Sequence, residues 1–120
     1  MITETKTRKL DSDITVYEIS GRLNLGNSLI SIESGIKKLI DQGTRRLIVD
    51  LTEVNYIDSS GIGMLVACAG HMEQFNGRMR VVGASGTVLK AFSIVHLERI
   101  TPLNDSVEEA AAAFEQNAPR

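Results

Sequence analysis

The stretch VNYIDSSGIGMLV, residues 54–66, joins a run of strand-forming residues to an apolar helical run. The preceding RRLIVDL is short, branched and apolar, which is typical of a strand covered on both faces. A strand that leads directly into a helix predicts an α/β fold, because parallel strands are usually connected by a crossover helix. The junction itself carries an acid, two hydroxyls and two glycines, namely Asp58, Ser59, Ser60, Gly61 and Gly63.

Further strands are predicted on both sides of this junction. ITVYEI, residues 14–19, alternates as a half-buried strand does, and Ser20-Gly21 ends it with turn chemistry. The charges of TKTRKL suit an exposed edge strand, so we predict an opening hairpin around Asp11-Ser12-Asp13. Towards the C-terminus, RMRVVGA predicts a strand and ERITPL a brief extended segment.

Four segments have the signals of helices. The first helix ends at Gly43, and its apolar face is predicted to be Leu29, Ile32, Ile36, Leu39 and Ile40. The second follows Ser60 and ends at Asn76-Gly77, and its buried stripe is predicted to be Ile62, Leu65, Val66, Ala69, Met72 and Phe75. VLKAFSIVHL predicts a short third helix, and Asp105 or Ser106 caps the last, VEEAAAAFEQ. The sequence thus predicts a mixed sheet of four to five strands, opening with a hairpin and covered by about four helices.

Length and composition indicate one small soluble domain. The chain has 120 residues, 42% of them hydrophobic, which is enough to bury one core. We expect a single domain over residues 1–117 and a frayed tail at 118–120. Cys68 is the one cysteine, and its apolar surroundings predict a small core residue. No apolar run approaches the roughly 20 residues of a membrane span, so a cytoplasmic protein is expected.

Charge and residue spacing argue against several classes of function. The net charge is −2, aromatic residues are 4% and basic residues are scattered, which does not favour nucleic-acid binding. His71 and His96 are isolated and no pair has ligand spacing, so we expect no metal and no cofactor. The residues around Ser60 also do not favour a serine enzyme. Asp58 stands where the nucleophile elbow needs a glycine, and His71 lies about 16 Å from Ser60 along the same helix, which is too far for it to act as the base.

Helix capping is the simplest interpretation of Asp58-Ser59-Ser60-Gly61. Asp or Ser accepts hydrogen bonds from the first free N–H groups of a helix, typically worth about 1 kcal/mol. The two glycines let the first turn lie close to the sheet or a neighbouring loop. Only one side chain can be the N-cap, however, and each glycine costs the helix up to about 1 kcal/mol. A spare hydroxyl on an open helix start also suits a partner or a modifying enzyme, and the residues alone leave both interpretations open.

LIVDLTEVNYIDSSGIGMLV, residues 47–66, resembles the signature of the STAS domain, in particular of the bacterial anti-sigma-factor antagonists. ISGRLN at 19–24 is similar to the family's Gly-x-Leu-Asp loop, and residues 80–114 are similar to its C-terminal half. The resemblance implies the STAS fold, with Ser60 as the phosphoacceptor and Ser59 as second choice. It implies a partner-binding surface formed by Asp58, Ser59, Ser60, Gly61, Gly63 and Asn24. Asn24 stands where the family's loop usually has an acid.

The same resemblance implies a partner switch and not an enzyme. Unphosphorylated protein binds an anti-sigma factor and frees the sigma factor. By this resemblance the anti-sigma factor would also be an ATP-dependent serine kinase, which would phosphorylate Ser60 and release the protein, and a PP2C-type phosphatase would reset it. We expect a monomer or a weak dimer. The alternatives are a STAS module in a regulatory scaffold or a partner switch without a sigma factor, followed by a small serine-dependent enzyme.

Overall fold

The computed structural model of the protein describes residues 3–10 and 13–116. The turn residues Asp11 and Ser12 of the predicted hairpin, and the predicted tail 118–120, lie outside these ranges. In chain order the elements are β1 (Glu4–Lys9), β2 (Thr15–Leu23), α1 (Asn27–Asp41), β3 (Arg46–Ile57), α2 (Ser59–Gln74), β4 (Arg78–Val82), α3 (Gly86–Val95), a 3-10 turn (Leu97–Arg99), β5 (Leu103–Asn104) and α4 (Val107–Gln116).

The strands form one mixed sheet in the order β1-β2-β3-β4-β5. β1 and β2 are antiparallel, with Lys9 opposite Thr15, which confirms the opening hairpin. The other neighbours are parallel, and a helix connects the members of each pair, as parallel crossovers require. The predicted α/β architecture is therefore confirmed.

The two faces of the sheet carry different helices. α1, α2 and α3 pack on one face over the larger hydrophobic cluster, which contains Ile36, Leu65 and Phe92. α4 packs on the other face, where its Phe114 joins a smaller cluster with Ile48. The centre of β3 is fully buried because it lies between these two layers, as its apolar sequence predicts.

The apolar face of α1 is as predicted at Leu29, Ile32, Ile36 and Ile40, while Leu39 is half-buried. The buried stripe predicted for α2 is wrong in part. The residues of α2 that are buried in the structure are Gly61, Met64, Leu65, Cys68, Ala69 and Met72. Ile62 and Val66 are only half-buried because Gly61 is the residue of the first turn that faces the sheet. Phe75 lies just after the helix and is 38% exposed, with its ring against His71 and Arg45.

The second strand extends beyond the predicted turn at Ser20-Gly21. β2 continues to Leu23 because its pairing with β3 shifts register at two places, beside Ser20 and beside Gly21. Gly21 adopts φ 104°, a conformation that suits glycine at an irregularity within a strand. At the first shift Asp50 accepts hydrogen bonds from the backbone N–H and the hydroxyl of Thr52, at 2.9 and 2.6 Å. The shifts bring the ends of β2 and β3 side by side.

Cys68 lies in the interior of the fold. Its side chain is fully buried between α2 and the sheet, as predicted from its apolar surroundings. Burial raises the pKa of its thiol to about 12. The thiol therefore stays protonated at neutral pH and behaves as a small apolar side chain.

Candidate functional site

The junction between β3 and α2 lies at the carboxyl edge of two parallel strands. Leu23, the last residue of β2, is opposite Ile57, the last residue of β3. The backbone N–H of Asp58 then donates to the carbonyl oxygen of Leu23 at 3.1 Å. Asn24, half-buried, follows Leu23 directly, so two segments distant in sequence meet at one edge. In open α/β sheets this edge is the usual location of functional loops.

Asp58 caps α2 and also holds the loop after β2. Its Oδ1 accepts a hydrogen bond from the Gly61 N–H at 2.9 Å, the bond of an N-cap. Its Oδ2 accepts one from the Leu25 N–H at 3.0 Å. These backbone donors, Gly61 first and Leu25 second, lower the pKa of the carboxyl group from its ordinary value. Capping by Asp58 is confirmed, and its bond to Leu25 is an additional role that the sequence did not indicate.

Both serines belong to the first turn of α2. Ser59 is the first helical residue and is exposed, and Ser60 is the second and is half-buried. The cap position is occupied by Asp58, so neither hydroxyl is needed there. The side-chain hydrogen bonds found within the described ranges involve neither hydroxyl. An anion on such a hydroxyl would lie at the positive end of the helix dipole.

The two glycines of this turn have different environments. Gly61 is buried, and a Cβ atom there would collide with the carbonyl oxygen of Leu23 and lie 2.7 Å from Cγ1 of Ile57. Gly63 is exposed, and a Cβ atom there would meet nothing within 4 Å. The expectation that both glycines permit close packing is right for Gly61 and wrong for Gly63. Gly63 instead leaves the helix surface near Ser60 bare.

Two large apolar side chains near this edge were not identified from the sequence. Leu25 is 76% exposed and Ile30 is 64% exposed. Ile30 lies off the buried stripe of α1, and that offset is a signal the sequence does contain. For Leu25 the sequence contains no comparable signal, because a loop residue has no periodicity.

The histidines lie in other contacts. Nε2 of His71 is 3.2 Å from Oδ1 of Asp41, and its ring packs against Phe75 near the end of α2. His96 ends α3 in a left-handed conformation, with Nδ1 3.5 Å from Glu98. Within residues 3–10 and 13–116 no three His, Cys, Asp or Glu side chains are grouped as a metal site would require. The helices of this same part of the chain are too short or too polar to cross a membrane.

Removal of the Asp58 carboxylate is expected to destabilise the fold. Asp58→Ala leaves the Gly61 and Leu25 N–H groups without their acceptors and should cost about 1 kcal/mol at pH 7 in urea unfolding. Asp58→Asn keeps a capping oxygen and should cost less.

The pH dependence follows from the same carboxylate. Because folding lowers the pKa of Asp58 from its ordinary 3.8, the ionised group stabilises the fold above that pH, and this contribution is lost as pH falls through the lower, folded value. The stability difference between wild type and Asp58→Asn should therefore shrink between about pH 5 and about pH 2. A difference that stays constant over that range would contradict the assigned role.

Comparison with known proteins identifies a family and a shared fold. The family model for the STAS domain matches residues 5–110. BtrV of Bordetella bronchiseptica, a protein named as an anti-sigma factor antagonist, is 30% identical over 102 residues, which are 85% of this chain and 87% of BtrV.

Two solved structures are similar over almost the whole chain. A Thermotoga maritima protein named as an anti-sigma factor antagonist superposes with a TM-score of 0.84 at 21% identity, covering 92% of this chain and 94% of that one. The anti-sigma factor antagonist SpoIIAA in its unphosphorylated form has a TM-score of 0.72 at 22% identity, covering 96% of this chain and all (100%) of SpoIIAA. The phosphorylated form of SpoIIAA, from Bacillus, also has 0.72, at 23% identity, with 93% and 99% covered. These likenesses show a shared fold.

Proposed function

The chain belongs to the STAS domain family, as an anti-sigma factor antagonist, and from this premise we propose that it works as a phosphorylation-controlled partner switch. It is a regulatory protein and not an enzyme. In the proposed switch, the unphosphorylated form binds a cytoplasmic anti-sigma factor and thereby frees a sigma factor. The anti-sigma factor is also a serine kinase, its transfer of phosphate to Ser60 ends the binding, and a PP2C-type phosphatase restores it.

The position of Ser60 is the observation that carries this proposal. Its hydroxyl lies in the first turn of α2, where Asp58 already provides the cap. Gly63, one turn further on, adds no side chain to the surface beside it. A kinase can therefore approach the hydroxyl without displacing a structural hydrogen bond of the described chain. Ser59 is more exposed and remains the second choice.

The electrostatics of a phosphate at Ser60 support a switch that acts on binding rather than on folding. A phosphoserine carries about −1.5 to −2 charge, and a helix N-terminus accommodates negative charge. SpoIIAA, whose fold is similar to that of this chain, has the same TM-score of 0.72 to it in its unphosphorylated and phosphorylated forms, which supports a modification that leaves the fold intact. The phosphate adds its negative charge to that of the Asp58 carboxylate, and it faces any protein that binds at this surface. Burying that charge in an interface without an opposing positive charge weakens the complex.

Asn24 also belongs to the proposed partner-binding surface. Asn24 lies between Leu23 and Leu25, both of which are hydrogen-bonded to Asp58, and we include it in the partner-binding surface. Its neutral amide adds no repulsion to a phosphate on Ser60.

Phosphate mapping tests the proposal directly. The purified protein is incubated with ATP, Mg²⁺ and the purified anti-sigma factor kinase of the same organism, and peptides are mapped by mass spectrometry. One phosphate on Ser60 is expected. Ser60→Ala should take up none, and the matched control Ser59→Ala should be phosphorylated as wild type. Phosphate on Ser59 alone would transfer the role to that residue, and no phosphate on either serine would overturn the switch.

A further inference from the structure

Two exposed apolar side chains lie in the segment that follows β2, at the same edge of the sheet where α2 begins, and we call them the ledge. The ledge is defined here as the side chains of Leu25 and Ile30, which are 76% and 64% exposed. Single exposed apolar residues are ordinary on protein surfaces, but two large ones beside a functional edge often mark a binding site.

The backbone of the ledge is held in place. The N–H of Leu25 donates to Oδ2 of Asp58 at 3.0 Å, and Asp58 in turn caps the helix that carries Ser60. The N–H of Ile30 donates to the carbonyl of Gly26 at 3.3 Å in the first turn of α1. The exposure of both side chains is therefore a property of an ordered surface.

Ile30 shares a stripe of α1 with two charged residues that lie near α2. Ile30, Glu33 and Lys37 form one stripe along α1, and the latter two are joined by a salt bridge of 2.9 Å. α1 packs against α2, and Glu33 and Lys37 act electrostatically on Cys68 of α2, so this stripe lies on the side of α1 nearer α2. α1 and α2 each follow a parallel strand and run in the same direction, so Ile30 lies nearest the N-terminal end of α2.

The outer surface of α2 near Ser60 lacks large side chains. Its exposed residues there are small, namely Ser59, Gly63 and Ala67. Protein interfaces draw most of their binding energy from a few large, well-packed side chains. A partner centred on Ser60 must therefore contact large side chains that lie outside α2. The ledge is the candidate, because the Leu25 N–H is hydrogen-bonded to Asp58 at the start of α2. By contrast, Ile94 of α3 is as exposed at 71%, but it lies near the far end of a helix that begins at this edge.

We propose that Leu25 and Ile30 are the apolar anchor of the complex with the anti-sigma factor. The inference rests on the proposed function, because an active site that phosphorylates Ser60 must cover the adjoining ledge. The partner surface is then an apolar socket on the rim of the kinase active site. The ledge supplies affinity, and the Ser60 hydroxyl in the first turn of α2 supplies the switch.

Serine replacements test the anchor. Leu25→Ser and Ile30→Ser are each expected to raise the Kd for the purified anti-sigma factor kinase about 10-fold or more, measured by calorimetry without ATP. Ile94→Ser is the matched control, since it removes a similarly exposed side chain, and its Kd should stay within about twofold of wild type. All three variants should unfold at the wild-type temperature because these side chains are largely in solvent.

The outcomes separate the anchor from the function on which it rests. If wild type binds and Ser60→Asp does not, but both ledge variants bind as Ile94→Ser does, the anchor alone is overturned. If wild type does not bind the kinase at all, the proposed function is overturned and the anchor with it. A second copy of the chain is the other possible occupant of the ledge, and sedimentation of the protein alone tests it. If wild type forms dimers that the ledge variants abolish, while the Kd for the kinase is unchanged, the ledge is a dimer interface and the proposal is overturned.

Discussion

Ser60→Asp is expected to bind the anti-sigma factor kinase at least about a hundredfold more weakly than wild type. The new carboxylate lies at the second helical position of α2, two residues after Asp58, and in the proposed complex it faces the partner. Two like charges then have to be covered by one interface, and their burial without a cation costs several kcal/mol in comparable cases. Calorimetry of the purified pair measures the loss.

Three comparisons separate charge from other effects of this substitution. Ser60→Asn has nearly the shape of Ser60→Asp without its charge, so it should retain most of the affinity, and Ser60→Ala should bind as wild type does. Ser60→Asp should be folded and no less stable than wild type, since an acid in the first turn of a helix is favourable by about 0.3–1 kcal/mol. Equal losses for Asn and Asp would attribute the effect to size and count against an electrostatic switch.

Gly61→Ala is expected to destabilise the protein by about 2–3 kcal/mol. The added methyl group collides with the carbonyl oxygen of Leu23 and with the side chain of Ile57, so the first turn of α2 has to move away from the end of β2. That movement stretches the bond between the Asp58 N–H and the same Leu23 carbonyl. Urea unfolding at neutral pH measures the change.

Gly63→Ala provides the control for this effect on the same helix. A methyl group there meets no neighbouring atom, and alanine is favoured over glycine in a helix by about 0.5–1 kcal/mol. Gly63→Ala should therefore be more stable than wild type while Gly61→Ala is less stable. The opposite order, or equal stabilities, would contradict the close approach of α2 to β2.

The parts of the fold that could be predicted depend on local patterns. The buried centre of β3, the apolar face of α1 and the cap at Asp58 all follow from residues within a few positions of one another. The hydrogen bond between Asp58 and Leu25 joins residues 33 positions apart, and no periodicity or spacing records it. The site is assembled by the pairing of β2 with β3, so its second half becomes visible only in three dimensions.

Two errors in the predicted elements have physical causes. Ser20-Gly21 has the composition of a turn, but the same composition suits a strand irregularity, and pairing with β3 decides between them. In α2 the residue that faces the sheet first is Gly61, which adds nothing to a hydrophobic pattern. The predicted stripe is therefore displaced towards Ile62 and lacks Met64, while the burial of Cys68 is predicted only from its apolar surroundings and not from the helical pattern.

The burial of Cys68 has a consequence for the chemical independence of the switch. Its thiol is the only one in the sequence, and both its inaccessibility and its pKa of about 12 withhold the thiolate that oxidants and disulfides attack. Peroxide or a change in cellular redox poise therefore has no accessible cysteine thiol to act on while the protein is folded. In the proposed switch, the signal is therefore carried by the Ser60 hydroxyl and not by the cysteine thiol.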